Sequence, residues 1–252
     1  MSDGGPPFVS IIIPAYNEAG RLEASITELA GFLSSVPLTH EVILVIEKST
    51  DGTLEVARRL ATRIPCMEVI GHDIQRGKGY AVRVGMLRAR GDIAFFMDAD
   101  LSTPLSEVGH FMNRISVAPP ADVLVGNRQH AGSEILTRQH FLRRKMGQTY
   151  NGILRLIAGI RISDTQCGFK AFRRAAREAI FPLQKLDGFA FDVEVLLLAE
   201  RLGFTIADMP VRWRNALGSK VHIVRDSWRM LCDAIRVRRL VAKTLAGVKR
   251  LR

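Results

Sequence analysis

The chain has 252 residues, 47% of them hydrophobic and 24% charged, enough for one sizeable core with a small appendage. No apolar run approaches the ~18 residues of a membrane-spanning helix, and "MSDGGPP" lacks both the basic and the apolar region of a secretory leader, so the expectation is a cytoplasmic protein with a disordered stretch at 1–7. Cys66, Cys167 and Cys232 match no zinc or disulfide spacing, and a net charge of +11 points either to a polyanionic partner or to a set of solvated basic helix faces.

In chain order, "FVSIII" (8–13) reads as a buried strand that stops at Pro14. Asn17 reads as the cap of a helix whose Leu22, Ile26, Leu29, Ala30 and Leu33 share one face. "EVILVI" (41–46) is a second strand, "DGT" (51–53) a turn, and Val56, Ala57, Leu60, Ala61 and Ile64 mark the next helix. "MEVI" (67–70), "DIAFFM" (92–97) and "ADVLVG" (121–126) follow as strands, with a helix over 79–90. Strands alternating with helices across short links predict parallel βαβ units, helices on both faces of the sheet, and a ligand site outside the carboxyl ends of the strands. Pro14–Glu18, Glu47–Asp51, Arg76–Lys78 and Asp98–Asp100 all fall at such ends.

The second half is less regular. A basic helix is predicted over 138–158, an apolar one over 190–203, and an added strand over 205–214. Positive charge collects here. Residues 138–177 carry ten Lys/Arg against Asp164 alone, and residues 225–252 carry nine against Asp226 and Asp233. In the tail, 226–252, Trp228, Leu231, Cys232 and Ile235 share a face. From 237 onward Val237, Leu240, Val241, Leu245 and Val248 define another, opposite Arg239, Lys243 and Arg250. That second stretch reads either as a basic amphipathic helix lying on a membrane or in a partner groove, or as an ordinary surface helix. The basic segments lack the interleaved aromatics of a nucleic-acid platform, and no nucleic-acid-binding motif occurs, so no nucleic acid is expected as a partner.

Asp98 and Asp100 would point to one side if the strand continued, and two close carboxylates need a cation between them. A hard divalent ion fits, since Mg²⁺ takes one or two carboxylates together with substrate phosphates. The alternative is a capped turn in which Asp100 and Ser102 bind local backbone. "RGKG" (76–79) is no Walker sequence. It is either a helix-start turn or, beside a metal site, a diphosphate contact with Lys78 as its cation.

Taken together, "VSIIIPAYNE" (9–18), "STDGT" (49–53), "RGKGYAVRVGM" (76–86), "DADLSTP" (98–104) and "GNR" (126–128) resemble glycosyltransferase family 2 over about residues 8–225. "DTQCGFKAF" (164–172), "FAFDVEVLLLAE" (189–200) and "GSK" (218–220) are similar to its branch of polyprenyl-phosphate hexose transferases. The resemblance implies an α/β GT-A fold, a catalytic domain over 8–225 followed by a basic helical tail, and a nucleotide-sugar donor. Pro14, Tyr16 and Glu18 would contact the nucleotide, while Asp98 and Asp100 would hold Mg²⁺ or Mn²⁺ on the diphosphate. Arg128, with Arg138 or Arg143, would meet the acceptor phosphate, and Lys220 would close over the phosphates. The implied reaction moves a hexose, glucose from UDP-glucose, onto a polyprenyl or dolichyl phosphate with inversion, peripherally on the cytoplasmic face of an anionic membrane.

Two readings stay open beside it. One keeps the fold with GDP-mannose as donor or a glycan or lipid hydroxyl as acceptor, for which Asp192 is the candidate base. Asp192 is otherwise an ion pair or cap at the start of its helix. The other is a non-catalytic binder of anionic membrane. One departure bears on the donor: where the family has an acidic pair and a glycine before "STDGT", this chain has Ile46, Glu47 and Lys48, and Glu47 is the remaining candidate to read the nucleotide.

Overall fold

A computed structural model describes residues 8–117, 120–137, 152, 159–160, 162–214 and 236–247. The basic helix expected over 138–158, Arg138, Arg143, Lys220, "GSK" and Trp228–Ile235 lie outside the described residues.

The elements run β1 (Val9–Ala15), α1 (Ala19–Ser35), β2 (His40–Ile46), α2 (Thr53–Leu60), β3 (Met67–Gly71), α3 (Lys78–Arg88), β4 (Ile93–Met97), α4 (Ser106–Ser116) and β5 (Val123–Asn127). They continue with β6 (Glu134–Thr137), β7 (Phe169–Arg173), α5 (Arg174–Ile180), α6 (Phe191–Arg201), β8 (Ile206–Pro210) and β9 (Arg212–Arg214), and a helix α7 covers 236–247. Seven strands form one sheet in the order β3-β2-β1-β4-β7-β5-β8, and β6 pairs with β9 separately. All the neighbours in the large sheet are parallel except β7, which runs against both β4 and β5.

The inner strands of the sheet are buried on both faces, which is why they read as continuous apolar runs, while the edge strands β3 and β8 are half-buried. Ile11, Ile13 and Phe95 face a layer holding Leu22, Leu29, Leu60 and Phe111 of α1, α2 and α4. Ile12 and Phe96, one residue out of phase, face a layer holding Val82, Ile180 and Leu196 of α3, α5 and α6. The α7 residues Val237 and Val241 are buried in that second layer, and Leu245 packs against it. Val237, Val241 and Leu245 are therefore turned into the protein's own core and not presented to a membrane or a partner groove, while Val248 and Arg250 lie outside the described residues.

Several boundaries differ from expectation for local physical reasons. β1 does not stop at Pro14; it runs to Ala15. The Ala15 carbonyl accepts from the Glu47 amide on the β2 side, so the nitrogen of Pro14 faces β4. There the register ends at Ile12 opposite Phe96, and the missing N–H removes no bond. Asn17 does not cap α1. It sits at φ 53, and its Oδ1 accepts from the Thr50 amide at 2.7 Å, while the Ala19 amide is bound by Asp51 Oδ2 at 3.1 Å. The cap thus comes from the loop after β2. The single strand expected over 205–214 breaks at Val211 into β8 and β9 of different sheets.

Candidate active site

The carboxyl ends of β1, β2, β3 and β4 lie together, and their loops bond to one another. Near the end of β1 Pro14 is buried; after the strand Tyr16 and Glu18 are half-buried, and the Glu18 amide donates to Thr53 Oγ1 at 2.8 Å. Glu18 Oε2 lies 2.7 Å from Arg21 Nε, and Arg21 Nη1 lies 3.8 Å from Asp100 Oδ2, so the β1 loop reaches the aspartate turn. After β2, Glu47 accepts from the amides of Arg76 and Gly77 at 3.0 and 2.8 Å. This carboxylate thus grips the loop that leads into α3.

β4 ends at Met97, so Asp98 and Asp100 occupy a turn and not the strand extension that period-2 alternation assumes. The Leu101 amide closes the turn on the Asp98 carbonyl at 3.0 Å, with Leu101 at φ 47, a conformation few bulky residues adopt. The two carboxylates have separate partners. Asp98 Oδ1 meets Lys78 Nζ at 2.5 Å, and Asp100 Oδ1 accepts from the Ser102 amide at 2.9 Å. Asp100 thus makes the capped turn, while Asp98 is paired with the Lys78 ammonium. Burial by itself would lower the pKa of Lys78, but Asp98, Asp192 and Asp100 together hold it above the ordinary lysine value.

β7 supplies what the sequence reading lacked. Because it runs antiparallel, the loop before it, 163–168, lies at the active end of the sheet. Gly168 sits directly against the aspartate turn: its carbonyl accepts from the Asp98 amide at 3.2 Å, and a Cβ there would lie 2.0 Å from Asp98 Oδ2. Asp164, fully buried, holds Arg128 through Nε at 2.8 Å and Nη2 at 2.9 Å. The Arg128 guanidinium lies 5.6 Å from the Trp213 ring, and the side chain stays 27% exposed. Asp164 and Asp98 raise its pKa against burial, and Arg128 in turn depresses that of Asp164. Burial pushes the Cys167 thiol up to about 11, so it is an inert core residue.

Asp192 lies in the first turn of α6, buried, with Lys170 Nζ of β7 at 2.5 Å from its Oδ1. Burial raises its pKa, with Lys170 and Lys78 pulling the other way. The ion pair expected as one reading of Asp192 is present. The basic run 138–177 is also less available than its count implies. Lys170 is buried, Arg173 binds the Ile115 and Ala121 carbonyls, Arg174 pairs with Asp92, and Arg177 binds Gly91 and Glu178.

Asp98 and Asp100 offer hard oxygen donors only, which suits Mg²⁺ or Mn²⁺. Among the described residues no group of three or more His, Cys, Asp or Glu forms a closed metal cage, so an ion here would complete its shell with phosphate and water. Pro14, Tyr16, Glu18, Lys78, Asp98, Asp100 and Arg128 are brought to one end of the sheet. Gly168, Asp164, Lys170 and Glu194 were missed as individual residues, although "DTQCGFKAF" holds the first three.

Comparison with known proteins agrees with this geometry. Residues 10–181 match the family described as Glycosyl transferase family 2. The chain is 34% identical to the dolichyl-phosphate beta-glucosyltransferase of Saccharomyces cerevisiae over 92% of its length and 74% of that protein. To the enzyme of the same name from Drosophila melanogaster it is 35% identical, over 88% of this chain and 71% of that protein. The fold superposes on glucosyl-3-phosphoglycerate synthase from Mycobacterium tuberculosis, solved with Mn²⁺, UDP and glucosyl-3-phosphoglycerate, with a TM-score of 0.65 at 19% identity, over 92% of this chain and 80% of that one. A sheet whose parallel strand ends carry an Asp-x-Asp turn, an antiparallel strand that braces it, and these relatives lead to one conclusion: the chain is a GT-A-fold enzyme and belongs to glycosyl transferase family 2.

Proposed function

We propose that the protein transfers glucose from UDP-glucose to a polyprenyl phosphate, with inversion, working peripherally at the cytoplasmic face of a membrane. The observation that carries this reading is the convergence of Lys78, Asp98 and Arg128 at one end of the sheet, with Lys78 and Arg128 both within electrostatic reach of Asp98. It joins cations for a leaving diphosphate and an incoming phosphate to the carboxylates that hold a divalent ion.

In this reaction an acceptor phosphate oxygen attacks the anomeric carbon, and the bond from that carbon to the donor diphosphate breaks, the electron pair leaving with UDP. Asp98 and Asp100 would hold Mg²⁺ or Mn²⁺, which when bound would supply positive charge to the diphosphate. Lys78 stabilises the charge that develops on the leaving group. Arg128, locked by Asp164, orients the acceptor phosphate. A phosphate monoester, with its second pKa near ~6, is mostly dianionic at neutral pH and needs no general base. The engagement of Asp192 by Lys170 supports a phosphate acceptor over a hydroxyl. No helix among the described residues is long and apolar enough to cross a membrane, and the name of the relatives supplies the dolichyl phosphate class.

The test is direct. Purified protein with Mn²⁺, a short polyprenyl phosphate and UDP-glucose should form a lipid-linked glucose, and GDP-mannose should give far less product. Absence of lipid-linked sugar from any donor, beside an active control enzyme, would sink the proposal.

A further inference from the structure

Glu47 follows β2, where an acid that reads the nucleotide is expected. Its side chain is 3% exposed, and its oxygens accept from backbone amides of one turn: Oε1 from Arg76 and Gly77 at 3.0 and 2.8 Å, Oε2 from Gly77 at 2.9 Å. Bonds from amides to an ionised carboxylate are among the stronger hydrogen bonds of a protein. The preceding residue, Ile46, is buried in the core and offers no polar group in exchange.

The same turn is pinned from its other side. Gly77 is at φ 127, and a Cβ there would lie 2.5 Å from the Asp187 carbonyl. That carbonyl accepts from the Tyr80 amide at 3.1 Å, and Arg76 and Arg83 pair with the Asp187 carboxylate at 2.7 and 3.3 Å. The 185–188 loop is itself held by a second buried carboxylate, Glu194, which accepts from the Lys185 and Leu186 amides at 2.9 and 2.7 Å. The turn between these two clamps leads directly into Lys78, the first residue of α3, whose Nζ reaches Asp98.

We propose that Glu47 is a positioning residue: by clamping the Arg76–Gly77 turn it places Lys78 at the diphosphate site, instead of reading the nucleoside. The role of Lys78 in this statement rests on the function proposed above. A Glu at this place therefore acts on the phosphates through the backbone of another loop.

Two measurements test it. In the unliganded protein, hydrogen exchange should find the Arg76 and Gly77 amides protected, and in Glu47→Ala they should exchange at least about tenfold faster, the loss of one charge-assisted bond, while α6 keeps its protection. By calorimetry with Mn²⁺, Glu47→Ala should weaken UDP about tenfold, leave uridine unchanged, and add nothing in a Lys78→Met background. Glu47→Gln, which keeps one acceptor oxygen, should fall between and carries the test if the alanine variant does not fold. Amides that exchange equally fast with and without Glu47, or losses from Glu47→Ala and Lys78→Met that multiply, or an equal loss for uridine, would overturn the proposal. If the wild-type protein binds no UDP while its amides are protected by Glu47, the donor reading fails and the clamp stands.

Discussion

Lys170 Nζ lies 2.5 Å from Asp192 Oδ1 with the two side chains 0% and 3% exposed, joining the antiparallel strand β7 to helix α6. The same ammonium donates to the Cys167 carbonyl at 2.7 Å and lies 4.9 Å from the Phe96 ring centre. Removing one partner of a buried pair leaves an uncompensated charge, whereas replacing both with apolar groups is often neutral. Lys170→Met should therefore lower stability in urea unfolding by about 3–5 kcal/mol, and adding Asp192→Leu should restore most of it. A loss below about 1 kcal/mol, the size of a surface pair, would show that the pair is not buried in solution.

Gly168 tests the aspartate turn without touching its carboxylates. A methyl group at 168 would fall 2.0 Å from Asp98 Oδ2, so Gly168→Ala must displace that side chain. Displacements of about 1 Å in a catalytic group cost on the order of 100-fold in rate. The expected result is a loss of that order in kcat with a melting temperature close to wild type. Full activity in Gly168→Ala would mean that the Asp98 rotamer paired with Lys78 is not the working one.

Asp98→Asn should separate metal from nucleotide. A ligand that binds only the folded state stabilises it by about 2.7 kcal/mol at 100 times its Kd. In thermal shift, UDP with Mn²⁺ should raise the wild-type melting temperature more than UDP alone, and Asp98→Asn should abolish that increment and the transferase activity together. An increment that survives the substitution places the ion elsewhere.

Much of the first half was legible because parallel βαβ units leave strong marks: continuous apolar strands, helical periodicity and loops at one end of the sheet. Strand β7 was not, because Lys170 stands inside an otherwise apolar run and its partner is 22 residues away. A buried lysine looks like a strand breaker until Asp192 is seen beside it. The Asn17 cap failed for a related reason, since the group that binds the Ala19 amide is Asp51, 32 residues on. Motif order carried the location of the site, but the division of labour between Asp98 and Asp100, and the turn-clamping role of Glu47, depend on contacts between loops that no periodicity encodes.

Glu41 sets an acid limb at the opposite end of the sheet. Its nearly buried carboxylate accepts from Ser10 Oγ at 2.6 Å and from the Arg90 amide at 2.6 Å. Burial would raise its pKa, but Ser10 and Arg90 outweigh it and hold the group below the ordinary 4.5. Because the folded pKa is the lower one, this stabilisation is fully present above the ordinary value and is lost as pH falls through the folded value. The difference in unfolding free energy between wild type and Glu41→Gln should be constant at neutral pH and shrink below about pH 4.5. A difference that grows on acidification would reverse the assignment.

Helix α7 carries the last expectation, because its two faces make opposite predictions. Val237 and Val241 are buried against the α3, α5 and α6 layer, while Arg236, Arg239 and Lys243 are exposed. An inserted amphipathic anchor needs its apolar face free, and here the core covers it. Val237→Asp should therefore lower stability by at least about 2 kcal/mol, the cost of a buried polar group without a partner, and not simply release the protein from vesicles. Any membrane contact by this helix is left to its basic face, worth about 1 kcal/mol per residue near an anionic surface. Reversing Arg236, Arg239 and Lys243 to Glu should weaken sedimentation with phosphatidylserine vesicles, leave the melting temperature nearly unchanged, and have no effect on neutral vesicles. Equal binding to neutral and anionic vesicles, insensitive to salt and to these substitutions, would show that α7 leaves the core to insert.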